Sequence, residues 1–284
     1  MDNIELYIRG NRKAYSGPSD WNEVPAPMAL QLVSLATIAQ QKPEAMLMIS
    51  EILYGIPHKD IRWLFDANYI RHCEPSISEE DVEQCLENGL ALMQHCAWVF
   101  EKDPPSNWLL KTIDKDMKTF YGPADGLASS SFEEFMFAEQ FYAAALAKGD
   151  GYQDNLTKLV CCLYRVGSLR NQAETNDARN PFTLASIDIM FPLFKQLHDN
   201  VKELVFFNYR GVRLELARSF PYVFKISESS AGQEGNWLDV AVGLAGENFI
   251  NLAAIKKENV YVVLKYLNSR IEQYEKLKEK TPQL

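Results

Sequence analysis

The sequence predicts a mainly α fold, a multi-helix globule that carries a small β-hairpin at its N-terminus. Two observations predict this class. Apolar residues recur at three- and four-residue steps along most of the 284-residue chain, which is the period of an amphipathic helix. The alternation of apolar and polar residues that is typical of a strand is confined to residues 4–8 and the segment that follows them.

The N-terminal hairpin is predicted from strands at 4–8 and 13–15, joined by a turn at Gly10-Asn11. A lone hairpin is only marginally stable in water. We therefore expect this one to lean on the helical body or to pair with another chain through its open strand edges.

Helical periodicity and capping residues predict the remaining elements. Helices are expected near 27–40, 43–55, 59–66, 78–100, 131–146, 155–164 and 181–220, then from Trp237 and finally over 257–280. Pro192 is expected to bend or divide the pair within 181–220. Residues 220–224 are expected to be extended, because Pro221 restrains its predecessor. A small polar segment, 227–235, follows them.

The helix at 131–146 is expected to be the centre of the fold. Ser131 and Glu134 have the spacing of a capping box, in which each side chain satisfies an unpaired amide of the first turn. Phe132, Phe135 and Tyr142 recur on one face, and further apolar residues widen it. A helix of this kind is nearly buried, so Phe135 is predicted to be a core residue.

The domain organisation follows from shifts in composition. We predict an N-terminal hairpin arm at 1–20, a helical domain at 21–165 and a C-terminal helical region at 181–284. The polar stretch 166–180 is a soft boundary between the last two, which alternatively form one continuous domain.

Composition disfavours several classes of partner. The net charge is −9 and the isoelectric point is about 5.1, which disfavours nucleic acid and anionic membrane as main partners. The first residues have neither the basic nor the apolar region of a signal peptide. No apolar run approaches the roughly 20 residues that span a bilayer. Five cysteines without a regular framework fit a reducing compartment, so a cytoplasmic location is expected.

Cysteine and histidine offer the best candidates for a metal site. These ligand types are present at His72, Cys73, Cys85, His95 and Cys96. Their spacing matches no zinc pattern, and Cys85 and Cys96 fall on the buried face of a helix, where cysteine behaves as a small hydrophobe. Core packing is also the expectation for the adjacent Cys161 and Cys162. The sequence therefore predicts no metal and no cofactor.

No motif of nucleophilic, nucleotide-dependent or metal-dependent catalysis is present. The acids that remain are Glu133, Glu134 and Glu139. We interpret Glu134 as a cap, and Glu139 as a buried acid paired with an arginine such as Arg165. A catalytic carboxylate pair is the alternative, because structural ion pairs produce the same pattern. The prediction is a protein without catalytic residues.

Trp21 and Trp237 each stand at the start of a predicted helix. Packing in the core is one interpretation. Contact with a partner is the other, because aromatic residues are enriched at the energetic centres of interfaces.

Three segments carry a resemblance. They are 4–8 with Trp21-Asn22-Glu23, 121–127 with 132–135, and 237–246. Together they resemble uncharacterised proteins encoded among the tail genes of tailed phages and prophages of Bacteroidetes. The opening and closing segments also resemble tail-assembly chaperones, in which a short strand element precedes a tryptophan and helices.

The resemblance implies a non-enzymatic protein that binds other phage proteins, the tape-measure protein among them, during tail assembly. It implies no functional residue, because no site is defined in that family. Two other classes stay open: a structural virion component, such as a connector or internal protein, and an enzyme of an unrecognised class. The expected location is the cytoplasm of the bacterial host, or the virion for a structural component.

Overall fold

A computed structural model describes residues 1–39, 45–175, 177–224, 237–246 and 248–280. The predicted segment 227–235 lies outside them. The protein is mainly α with an antiparallel hairpin at its N-terminus, as the sequence predicts. The chain divides into two compact units, Met1–Pro104 and Pro105–Leu284. The division therefore falls between two adjacent prolines, and the stretch 166–180 is internal to the second unit.

The first unit combines the hairpin with a group of helices. Its strands are β1 (Asp2–Ile8) and β2 (Asn11–Gly17), followed by a 3-10 turn at Trp21–Glu23. Its helices are α1 (Ala26–Ala39), α2 (Ala45–Tyr54), α3 (His58–Phe65), α4 (Ala67–Cys73), α5 (Glu79–Cys96) and α6 (Trp98–Glu101).

The hairpin leans on helices of its own unit. β1 and β2 pair from Asp2 with Gly17 to Ile8 with Asn11. β1 buries the alternate residues Ile4, Leu6 and Ile8 against the helices and turns the others to solvent. This is the half-buried pattern that strand alternation predicts.

Polar contacts add to this packing of the hairpin. Lys13 reaches the buried carboxylate of Asp60 in α3 at 2.7 Å. The guanidinium of Arg9 lies over the ring of Trp63 in the same helix.

A glycine allows the close packing of α3 and α5 in the first unit. A Cβ atom at Gly89 in α5 would lie 2.3 Å from the carbonyl oxygen of Leu64 in α3. Only glycine therefore allows these two helices to pack at this distance. The predicted long helix at 78–100 is divided at Ala97 into α5 and α6. Ala97 keeps helical φ and ψ angles, but its amide donates to the carbonyl oxygen of Gln94, three residues back.

The second unit holds the larger core. Its strands are β3 (Thr112–Lys115), β4 (Lys118–Tyr121) and β5 (Arg165–Val166), with a 3-10 turn at Asp125–Leu127. Its helices are α7 (Phe132–Leu146), α8 (Tyr152–Leu163), α9 (Leu169–Thr175), α10 (Leu184–Phe194), α11 (Asp199–Ser219), α12 (Trp237–Ala245), α13 (Phe249–Lys257) and α14 (Val260–Lys280).

The central helix is buried as predicted. α7 packs against α8, α13 and α14. Phe135 is fully buried, with its ring 4.9 Å from that of Trp237 and 6.0 Å from that of Phe132. The prediction that Phe135 is a core residue is confirmed.

Three local features of the second unit differ from the prediction. The antiparallel sheet of β3, β4 and β5 was not predicted, because polar residues dominate the segment 111–118. Pro192 lies inside α10 instead of dividing the helical pair, and the division comes before α11 begins at Asp199. Residues 221–224 form a helical turn, and the expected extended segment is wrong. Pro221 starts this turn because its fixed φ suits a first helical position, while Phe220 before it is non-helical.

Candidate functional site

A buried ion cluster lies at the start of α7. Ser131 accepts a hydrogen bond from the amide of Glu134, as in a helix cap. The Glu134 carboxylate does not return to the cap. It accepts from Arg179 at 2.6 Å and from Arg165 at 3.0 Å. The interpretation of Glu134 as only a cap is therefore incomplete, because its side chain joins α7 to the 165–180 segment.

The 165–180 segment supplies the rest of this cluster. Arg179 is fully buried and also donates to Asp177, Ser130 and the carbonyl oxygen of Leu163. Burial lowers the pKa of the Arg179 guanidinium, but the carboxylates of Glu134 and Asp177 outweigh burial and raise that pKa overall. Among the described residues, the carboxylates of Glu134 and Asp177 face the guanidinium groups of Arg165 and Arg179, so these four charges balance.

A second buried acid lies one turn further along α7. The Glu139 carboxylate accepts from the hydroxyl of Tyr209 at 3.1 Å and from Arg213 at 3.1 Å. Burial raises the pKa of Glu139, while Arg213, Tyr209 and a hydrogen bond from Trp237 act in the opposite direction. The predicted burial of Glu139 is confirmed. The predicted pairing of Glu139 with an arginine is also confirmed, but this arginine is Arg213 of α11. Arg165, the predicted example, pairs with Glu134 instead.

The three acids of α7 do not share a site. Glu133 pairs with Lys256 of α13 at 3.3 Å, while Glu134 and Glu139 belong to the two separate clusters. Each of the two buried carboxylates is already bound by a guanidinium group. These contacts fix three elements of the second unit onto α7.

The candidate metal ligands occupy different parts of the first unit. Cys96 is buried with its sulfur 3.2 Å from the Ser50 hydroxyl, and His95 contacts Asp2 at the start of β1. Cys85 is buried, whereas Cys73 is exposed. Within the part of the chain that the structure describes, no three His, Cys, Asp or Glu side chains come together as a metal site requires. The absence of a bound metal stays a prediction.

The tryptophans at the helix starts are packed inside the protein. Trp21 is buried, with its ring 5.4 Å from that of Trp98 in an edge-to-face arrangement. Trp237 is half-buried and lies between the rings of Phe135 and Phe224. Of the two interpretations of these residues, the geometry favours core packing.

The C-terminal helix α14 presents apolar residues to solvent as well as to the core. Its inner face buries Val260, Val263, Leu264 and Leu267. A second row, which we call the outer stripe, consists of Val262, Tyr266, Arg270, Tyr274 and Leu277. These positions are three or four residues apart and fall within an arc of about 120° on a helix of 3.6 residues per turn.

The outer stripe is solvent-exposed over its whole length. The relative exposures of its apolar members are 55% for Val262, 52% for Tyr266, 60% for Tyr274 and 65% for Leu277. Arg270 lies over the ring of Tyr266 with 6.0 Å between guanidinium carbon and ring centroid. Lys278 lies 4.8 Å over the ring of Tyr274. The stripe therefore combines apolar surface with cations held against it.

A separate exposed apolar group lies at the start of α13. Phe249 is 85% exposed and Ile250 is 79% exposed. They follow a helix cap, in which the side chain of Asn248 accepts from the amide of Ile250. Phe249 provides a matched control for the exposed aromatic residues of α14.

Comparison of the chain with protein-family models, with curated proteins and with solved structures finds no match. None of the helices in the described ranges is both long enough and apolar enough to cross a membrane. The function is therefore inferred from the sequence, contacts and exposure of this chain's own residues.

Proposed function

We propose that this protein works by binding another protein during the assembly of a phage tail, and that it is not a catalyst. The outer stripe of α14 is the observation that carries the proposal. A row of exposed apolar side chains on one arc of a helix is the surface that a partner helix covers in helix-mediated recognition.

The position of the stripe supports this role. The amide of Tyr222, in the turn at 221–224, donates a hydrogen bond to the side chain of Asn268 in α14. Among the described hydrophobic residues of α14, Ile271 is the last one that packs on the core. Beyond it, Tyr274 and Leu277 are among the most exposed apolar residues of the second unit. Most helical stability in a protein comes from tertiary packing, so a partner that covers these exposed apolar side chains stabilises this end of α14.

The buried acids support the same proposal. Glu134 and Glu139 are the residues that a catalytic interpretation would use, and each is held by arginine within the core. His95 belongs to the first unit and Glu139 to the second. The hydrogen bonds of these acids serve packing between helices, which is what a binding protein requires of its scaffold.

The setting of tail assembly rests on the resemblance of the three segments to tail-gene proteins. In that setting the partner is a long helical protein that would otherwise aggregate, as the tape-measure protein would. The protein then acts in the cytoplasm of the bacterial host. The resemblance supports the identity of the partner, and the outer stripe supports the way in which that partner is bound.

Co-expression with the products of neighbouring tail genes, followed by affinity purification, tests the proposal. We expect a stoichiometric complex with one of them, and absence of the protein from purified particles. A protein that stays in the particle is a structural component and not an assembly factor. If the protein remains alone, and a substrate screen finds turnover that Glu139→Gln or His95→Ala abolishes, the binding function is wrong.

A further inference from the structure

The charges around the outer stripe are sorted by face. α14 carries five lysine or arginine residues and three glutamates, whereas the chain as a whole has 29 basic and 38 acidic residues. Arg270 is a member of the stripe and Lys278 lies beside its C-terminal end, whereas Lys276 on the other side pairs with Glu272. Glu272 and Glu275 lie about 140–160° from the middle of the stripe, on the far side of the helix.

We propose that the outer stripe of α14 binds an acidic amphipathic helix of a partner protein. This inference rests on the proposed function and specifies the chemistry of the partner. The partner presents apolar residues at steps of three and four, with Asp or Glu beside them. Its apolar row covers Tyr266, Tyr274 and Leu277, and its carboxylates meet Arg270 and Lys278.

The contacts already present on α14 prepare it for such a helix. The Arg270 guanidinium presents a planar fork of donors that matches a carboxylate. Its stacking over Tyr266 limits the orientations of the fork, and Lys278 is held over Tyr274 in the same way. Covering the stripe removes water from these pairs, which strengthens both the cation–π contacts and the new ion pairs.

Charge disfavours the two other occupants of such a stripe. A second copy of the chain brings its own Arg270 and Lys278 to the stripe, and an antiparallel pair centred on Tyr274 sets these cations opposite each other. An anionic membrane attracts the stripe but repels a chain of net charge −9. An acidic helix is attracted by Arg270 and Lys278 and does not bring like charges to the stripe.

Fluorescence anisotropy with two synthetic peptides tests the proposal on the full chain. One is a helical peptide with leucines at steps of three and four and glutamates beside them. The other has lysine in place of every glutamate. We expect the glutamate peptide to bind at least about tenfold more tightly, and its affinity to fall between about 0.05 and 0.5 M salt.

Variants locate the binding on the stripe. Tyr274→Ala and Arg270→Glu should each weaken the glutamate peptide by about tenfold. Arg270→Glu should also improve binding of the lysine peptide. Phe249→Ala, which removes an exposed aromatic residue of α13, should change neither affinity. Circular dichroism establishes that each variant keeps its helix content.

Four results would overturn this inference. They are equal binding of both peptides, no binding of either, a dimer in sedimentation that Tyr274→Ala dissociates, or binding to phosphatidylglycerol vesicles without binding to the glutamate peptide. The proposed function fails separately. A tail protein that binds the native protein and Arg270→Glu equally refutes only the stripe, whereas peptide binding without any tail-protein complex refutes only the tail function.

Discussion

Replacing Arg179 by methionine tests whether the buried ion cluster holds the 165–180 segment onto α7. Methionine keeps much of the apolar stem and removes the guanidinium. Among the contacts of the described residues, Glu134 and Asp177 then keep the Arg165 guanidinium, at 3.0 Å and 3.8 Å respectively. One buried carboxylate is no longer compensated by charge.

The size of the effect follows from burial. Removing one partner of a buried ion pair costs about 3–5 kcal/mol, mostly because it leaves an uncompensated charge out of water. In a folding unit of this size each kcal/mol lowers Tm by about 2–4 °C, so Arg179→Met should lower the Tm of the second unit by roughly 6–20 °C. Adding Glu134→Gln should restore part of this loss, because it removes the uncompensated charge.

Urea titrations followed by far-ultraviolet circular dichroism and tryptophan fluorescence measure the change in the free energy of unfolding, and thermal melts measure the change in Tm. Arg218→Met is the control, because Arg218 is 62% exposed and pairs with Glu215 on the surface of α11. Surface pairs of this kind contribute little. If Arg179→Met costs less than about 1 kcal/mol, as a surface pair would, the cluster does not hold this segment in place.

Three further predictions follow from packing. Phe135→Ala should lower the free energy of unfolding by about 3–5 kcal/mol, whereas Phe249→Ala should leave it nearly unchanged. Equal losses for the two variants in urea titrations would contradict the burial of α7. Gly89→Ala should destabilise the first unit, because the new Cβ meets the Leu64 carbonyl. Gly243→Ala in α12 is the control, because its Cβ meets nothing within 4 Å and should not destabilise the second unit. Thermal melts of the two variants compare these effects. A disulfide-exchange reagent at about pH 8 should label only Cys73 in the native protein, because burial raises the pKa of Cys96 to about 11 and of Cys161 to about 12. These thiols stay protonated until the pH exceeds those values, and unfolding should expose all five cysteines. Native labelling of a second cysteine at that pH would refute the burial.

The fold class could be predicted from the sequence because the relevant information is local. Ile4, Leu6 and Ile8 alternate, and Phe132, Phe135 and Tyr142 recur at helical steps, so each pattern determines one buried face. The helix boundaries followed from caps such as Ser78 and Ser131, whose side chains accept from amides of the first turn in the structure.

The ion cluster could not be predicted because its signal is not local. Asp177 and Arg179 lie in a polar stretch that resembles a surface loop, and only the tertiary fold buries them against Glu134. A main-chain pairing of Gly167 with Arg179 returns the stretch to β5. The short sheet was missed for a related reason, since each of its strands has few residues and its core positions Ile113 and Phe120 stand among polar neighbours.

The proposed partner surface could be predicted only in part from the sequence. The apolar stripe of the last helix is visible as a period of 3.6 in the sequence. The division between inner face and outer stripe depends on where α7 and the 221–224 turn pack. In the structure Val263 and Leu264 are buried, whereas Tyr274 and Leu277 further along the helix are exposed.

Amide hydrogen exchange of the protein alone and in complex with a tail protein tests the central claim, that α14 is the binding surface, most directly. In the free protein the amides of 272–280 should exchange faster than those of 260–268, because the latter pack on the core. The account predicts that the partner slows exchange most strongly across 266–280. A bound partner that protects other helices and leaves α14 unchanged would contradict it.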